Sequence, residues 1–128
     1  MTLTPADIDR WDPADLQAVS HAATARAEAA HVTSMAMTQL PAVAAWDGAA
    51  GDAARAAIRG TRLALDAHAE EARAVARAAD VAAGDVAHLQ AQLRRVDDDA
   101  QADGLMIDRD TGTVLPGARL RGTAGQFA

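Results

Sequence analysis

The sequence has no cysteine, no tyrosine and no lysine, and it contains only two tryptophans and one phenylalanine among 128 residues. The absence of cysteine excludes disulfides and thiolate chemistry. With so few aromatic side chains, a thick globular core is excluded as well. All twelve basic residues are arginine and the net charge is −6; no basic stripe exists for binding nucleic acid phosphates. Arginine without lysine, in an alanine-rich chain, is typical of high-GC genomes such as those of actinobacteria.

Two further features are missing from the sequence. The N-terminal residues, Met1 to Asp7, have neither a basic region nor an apolar stretch, so no secretory signal peptide is predicted. The sequence contains no run of 18 apolar residues, the length that a transmembrane helix requires. We therefore expect a chain that starts in the cytoplasm and leaves it, if at all, by a route for folded proteins.

What the chain does have is alanine, which dominates its 50% hydrophobic fraction. Alanine is the best helix former and lets helices approach closely. Thr4-Pro5 and Asp12-Pro13 both combine a capping residue with a proline at the first helical position. They predict a short helix ending near Arg10 or Trp11 and a long one from Pro13 to about Gln39 or Leu40, before Pro41. The fold class is thus predicted to be all-α.

The longest helix is predicted from Ala49 to about Asp103, ending at Gly104. Leu105 and Leu115 bound two short apolar runs around an Asp/Gly turn, which indicates a small β-hairpin. The predicted organisation is a helical hairpin over residues 4–103, a β-hairpin over residues 104–116, and a flexible tail or shortened linker over residues 117–128.

A heptad pattern runs through the longest helix and predicts two apolar seams. The first seam comprises Ile58, Leu65, Ala72, Ala79, Val86 and Leu93. The second comprises Thr61, His68, Val75, Ala82, Leu89 and Val96. On the preceding helix, Leu16, Val19, Ala23, Ala30 and Met37 mark one face, which Arg26 and Ser34 interrupt.

Helix lengths predict that part of these seams needs a partner. At 1.5 Å per residue the two long helices measure roughly 40 Å and 80 Å, so the first covers the second only to about residue 77. Large aliphatic side chains lie beyond that point, and exposing four of them would forgo roughly 6 kcal/mol. The short first helix, with Ile8 and Trp11, covers part of them. The predicted partner-binding residues are Ile58, Leu65, Val75, Val86, Leu89, Leu93, Val96, Leu16 and Val19.

No pattern in the sequence predicts catalysis or a bound cofactor. The four histidines (His21, His31, His68 and His88) have neither the spacing nor the cysteines of a zinc site. The acidic groups around Asp97 to Asp99 and Asp108 to Asp110 lack the closing glutamate of a calcium loop. No catalytic triad, phosphate-binding loop or dinucleotide motif is present. We expect a non-catalytic protein without metal or cofactor.

Trp46-Asp47-Gly48 lies between the two long helical stretches, where a bulky aromatic can close the helix pair and a glycine lets the chain turn. At the bend of a helical hairpin, this tripeptide resembles the signature of the WXG100 family, small helical proteins exported by type VII (ESX) secretion systems. The region from about Thr4 to Val114 is similar to WXG100-like N-terminal domains found ahead of α/β-hydrolase-like or toxin domains in mycobacterial proteins. The resemblance carries over to Trp46 and Gly48 as the turn motif.

The resemblance implies a hairpin that pairs with a second hairpin, from a WXG100-like partner or another copy, into a four-helix bundle. It also implies a targeting role in export, with an effector domain following in a longer parent protein. The export signal of the family is Tyr-x-x-x-Asp/Glu, of which Leu93 to Asp97 keeps only the acid and its spacing. Either a partner supplies the signal or the domain is not exported. An intracellular coiled-coil adaptor and a regulatory domain of an attached hydrolase remain the alternatives.

Overall fold

A computed structural model describes residues 2–40 and 45–118 of the chain. The described residues form α1 (Pro5–Arg10), α2 (Pro13–Met37), α3 (Gly48–Ala102), β1 (Leu105–Ile107) and β2 (Val114–Pro116). The protein is therefore mostly helical with a short two-stranded antiparallel sheet. Helix α2 ends two to three residues earlier than predicted. The predicted break at Pro41 lies outside the described residues, as do all but the first two residues of the tail predicted over residues 117–128.

The chain divides into two compact units, and α3 contributes to both. One unit is Asp15–Val81, and the other joins the N-terminal residues up to Ala14 with the residues from Ala82 onward. Within the described ranges, every helix lacks the long apolar stretch that crossing a membrane requires.

The core of the Asp15–Val81 unit is built from alanines of both long helices. Ala27 and Ala30 of α2 form one buried cluster with Ala69 and Ala72 of α3, and Leu65 packs against it. Side chains this small allow two helices to pack at short interaxial distance. The packing is supplemented by side chain to backbone hydrogen bonds. Ser20 Oγ donates to the Ala76 carbonyl at 2.9 Å, and Arg62 Nε donates to the Ser34 carbonyl at 3.1 Å.

One of the two predicted seams of α3 is wrong by one residue. Ala72 and Ala79 of the first seam are buried, but His68 and Val75 of the second are exposed. Their neighbours in the sequence are buried instead: Ala69, Ala76 and Ala83. A heptad that contains 72 and 79 can take its second position at 75 or 76, since both spacings occur in a coiled coil. Because valine is more apolar than alanine, the pattern favours Val75 over Ala76 as the seam residue.

The second unit begins with a capped helix. The Asp7 backbone N–H donates to Thr4 Oγ1 at 3.2 Å, and the Thr4 backbone N–H donates to Asp7 Oδ2 at 3.0 Å, which completes a capping box. The N–H and hydroxyl of Thr4 lower the pKa of the Asp7 carboxyl, and Arg10 lowers this pKa further. The predicted start signal at Thr4-Pro5 is thus confirmed.

Strands β1 and β2 follow α3 and form the predicted β-hairpin. They pair antiparallel, with Met106 opposite Leu115. In the connecting turn, the Gly112 N–H donates to the Asp108 carbonyl and the Asp108 N–H to the Thr113 carbonyl, both at 2.8 Å. Asp108 Oδ1 also accepts from the Asp110 N–H at 2.8 Å, an arrangement that explains the preference for aspartate in such turns.

The N-terminal segment is fastened within this unit by two side chains. Gln90 Nε2 donates to the Ile8 carbonyl at 3.0 Å and to the Trp11 carbonyl at 2.6 Å. The guanidinium of Arg109 binds Asp97 through both carboxylate oxygens and Asp9 through one. The Arg109 carbonyl in turn accepts from the Ala6 N–H at 2.8 Å. We call Asp9, Gln90, Asp97 and Arg109 the clasp; it holds α1 against residues far away in the sequence.

Candidate functional site

A shallow groove runs along α2 and α3 in the Asp15–Val81 unit, and we call it the pairing groove. Its floor and walls are mostly small and apolar, and three polar residues complete it. The lining residues are Val19, Ala22, Ala23, Ala72 and Val75, together with Arg26, His68 and Glu71. The side chains of Val19 and Val75 are 48% and 51% exposed, respectively. Two valines that are half in water beside alanines form an apolar surface suited to another helix.

A hydrogen bond joins the two helices beside these valines. Val19 precedes Ser20 and Val75 precedes Ala76, and Ser20 Oγ donates to the Ala76 carbonyl. The valines therefore lie on two joined helices rather than on a loop. A preformed surface of this kind loses little conformational entropy on binding.

Trp46 lies just before α3, and its side chain is 51% exposed. That this ring closes the helix pair stays a prediction, and about half of the residue is in contact with solvent. Gly48 has a φ of 88°, a left-handed conformation that glycine adopts without strain, in keeping with its predicted role in the turn.

The backbone carbonyl of Trp46 makes two close contacts with the start of α3. A Cβ at Gly51 would overlap the Trp46 carbonyl, so the close approach requires glycine. The same carbonyl accepts from Arg55 Nη1 at 2.7 Å, and Arg55 also pairs with Asp52. Gly51 and Arg55 thus position Trp46, although no sequence pattern singles out either residue.

The remaining predicted partner-binding residues fall into two groups. Leu16, Ile58 and Leu65 are half-buried in the Asp15–Val81 unit. In the other unit, Val86, Leu89 and Leu93 are half-buried and Val96 is exposed. Within this chain, only Val19 and Val75 from the predicted set line the pairing groove.

The apolar pattern of the sequence does not reveal several polar residues that make structural hydrogen bonds, and the reason is the same for each. Arg62, Gln90 and Asp97 continue the seam that contains Ala69, Ala76 and Ala83, at spacings of seven residues. Polar side chains at seam positions suppress the apolar pattern by which a seam is recognised. Their regular spacing is the signal in the sequence that indicates the alternative register.

The described residues contain no group of three histidine, aspartate or glutamate side chains placed to hold a metal ion.

Comparison with known families identifies the chain. The family model described as "Uncharacterised protein Rv0964c" matches residues 41–127, more than half of the sequence. The chain belongs to the Rv0964c family. The match includes Trp46, all of α3 and the β-hairpin, whereas α1 and α2 precede it. No solved structure matches the chain.

For this member of the Rv0964c family, the matched region thus supplies one wall of the pairing groove, Ala72 and Val75, while Val19, Ala22 and Ala23 come from the preceding helix.

Proposed function

We propose that this protein is a non-catalytic helical module that pairs with a second helical hairpin through the pairing groove. In this proposal, α2 and the first part of α3 form an antiparallel hairpin, which is half of a four-helix bundle. The observation that carries the proposal is the pair of half-exposed valines, Val19 and Val75, in an alanine-lined groove between two helices.

The order of contacts supports an antiparallel hairpin. Ser20 bonds to Ala76 near the start of α2, and Ser34 bonds to Arg62 near its end. As the residue number rises along α2, the number of its partner on α3 falls. The four clustered alanines, Ala27, Ala30, Ala69 and Ala72, lie between these two bonds in the sequence.

The composition of the groove supports a helical partner. Alanine at the floor lets a third helix approach closely, and the two valines offer apolar contact at the centre of an interface. Arg26, His68 and Glu71 complete the lining with polar groups, as is usual at the edge of a protein–protein interface. A partner hairpin with its own small apolar face matches these features.

The proposed biological setting is type VII secretion, and it rests on the resemblance of Trp46 to Gly48 to the WXG100 turn motif. The exposed ring of Trp46, held through its backbone by Gly51 and Arg55, is then available to another protein. Because these 128 residues contain no tyrosine, the proposal assigns the Tyr-x-x-x-Asp/Glu signal to the partner. The module would start in the cytoplasm and leave as part of the pair.

The test of the groove uses one substitution at two valines of the same helix. Val75→Asp places a charge in the groove and should weaken self-association, or the complex with a WXG100-like partner, at least tenfold. Burying an unpaired carboxylate is unfavourable by several kcal/mol. Val81, which is 63% exposed and does not line the groove, provides the control variant Val81→Asp.

Sedimentation velocity over a range of concentrations measures the effect, and circular dichroism checks that both variants stay helical. Equal association of both variants with the unmodified protein would refute the groove as the pairing surface.

A further inference from the structure

A second groove lies where the end of α2 meets the first turns of α3, and we call it the arginine groove. Its apolar lining comes from Met37, Leu40 and Ile58, and its charged lining from Arg55, Arg59 and Arg62. It shares no lining residue with the pairing groove, so separate variants can test the two sites.

The arginine groove is positively charged, whereas the chain as a whole is negatively charged. The protein carries a net charge of −6, yet residues 53–65 contain three arginines and no acidic residue. Spacings of four and three residues place Arg55, Arg59 and Arg62 along one face of α3. Asp52 pairs with Arg55 at 2.7 Å, so the positive charge that an anionic ligand could neutralise lies on Arg59 and Arg62.

The guanidinium groups differ in how they are held. Arg55 is fixed by the Trp46 carbonyl and Asp52. Arg62 donates from Nε to the Ser34 carbonyl, which orients its two terminal nitrogens without satisfying them. Arg59 is exposed and makes no hydrogen bond or ion pair within residues 2–40 and 45–118. Arg59 and the outer edge of Arg62 are therefore free to bind carboxylates.

We propose that the arginine groove binds an acidic amphipathic helical segment of a partner protein. Carboxylates of the segment pair with Arg59 and Arg62. A guanidinium group can donate two parallel hydrogen bonds to one carboxylate, so arginine suits this ligand. Its apolar side chains contact Met37, Leu40 and Ile58, as in other helix-in-groove interactions. The apolar lining distinguishes this site from one for a bare phosphate, which would gain nothing from a methionine and a leucine.

A synthetic peptide tests the proposal on the full chain. The probe is a fluorescein-labelled helical peptide of about four turns, with leucine on one face and glutamate along its flanks; its counterpart carries glutamine in place of glutamate. The unmodified protein should bind the glutamate peptide at least tenfold more tightly than the glutamine peptide, and added salt should weaken the binding.

Two arginine variants locate the binding site. Arg59→Glu should weaken binding at least tenfold, because it replaces an attraction with a repulsion. Arg77→Glu is the matched control, since Arg77 is an exposed arginine of α3 outside the groove; it should change binding by less than twofold. Val75→Asp should leave peptide binding intact, which separates this proposal from the pairing of hairpins.

Equal losses in Arg59→Glu and Arg77→Glu would overturn the proposal, because they would indicate attraction by overall charge. So would equal binding of the two peptides, absence of binding at millimolar peptide, or tighter binding of a single-stranded oligonucleotide than of the glutamate peptide.

Discussion

Ser34 is a polar residue on the buried face of α2, where the other buried residues are Ala27 and Ala30. Its side chain is 1% exposed, and its hydroxyl has no hydrogen-bond partner within the described residues. In the sequence pattern, Ser34 interrupts the apolar face of α2. In the structure, this polar residue is nevertheless buried. A buried hydroxyl without a hydrogen-bond partner destabilises the folded state relative to an alanine methyl group at the same position.

Ser34→Ala should therefore raise the free energy of unfolding by roughly 1 kcal/mol. Urea unfolding followed by circular dichroism measures the change. Ser20→Ala is the matched control on the same helix, because Ser20 Oγ does have an acceptor, the Ala76 carbonyl. That variant should lose about 1 kcal/mol. If both serine variants lose stability, the hydroxyl of Ser34 is satisfied in solution and the interpretation of the core is wrong.

At the scale of elements, the clasp ties the first helix to the far end of the chain. Arg109 bonds to Asp9, which lies 100 residues away, and to Asp97 on α3. Both pairs are partly exposed, so each contributes modestly, on the order of 0.5–1 kcal/mol. Their value lies in joining a helix of six residues, α1, which is too short to be stable alone.

Arg109→Ala should loosen α1 without unfolding the rest. Amide hydrogen exchange in residues 4–11 should accelerate roughly three- to tenfold, whereas exchange in residues 65–76 should stay unchanged. Arg95→Ala removes the same charge two residues before Asp97 in the sequence without removing a clasp residue, and it serves as the control. Similar acceleration in both variants would show that local charge, rather than the geometry of Arg109, holds α1.

Element boundaries were predictable, whereas the register between helices was not. Thr4-Pro5, Pro13 and Gly104 punctuate the chain strongly, and the Asp/Gly turn is enough to predict the β-hairpin. The seam of α3 depends on whether residue 75 or residue 76 faces α2. Alanine is only weakly apolar, so an alanine at residue 76 does not stand out as a seam position. Arg62, Gln90 and Asp97 occupy the same seam and make its apolar pattern weaker still. The clasp joins α1 to residues so distant in the sequence that no local pattern reports the contact.

For the whole molecule, composition is the strongest constraint. Alanine builds a helix pair whose buried side chains are small, so apolar burial within the chain stabilises it only modestly. Valines left half-exposed beside those alanines offer the additional burial that a second hairpin would supply. Membership of the Rv0964c family covers α3 and the β-hairpin, and the pairing of hairpins is our account of what that long helix is for.

The mass of the purified protein in solution, measured by light scattering, tests this account most directly. It is measured alone over a range of concentrations, and again after mixing with candidate WXG100-like proteins. The account predicts twice the mass of the 13.2 kDa chain, or a 1:1 complex with one of those proteins. A protein that stays monomeric at every concentration and in every mixture would contradict it.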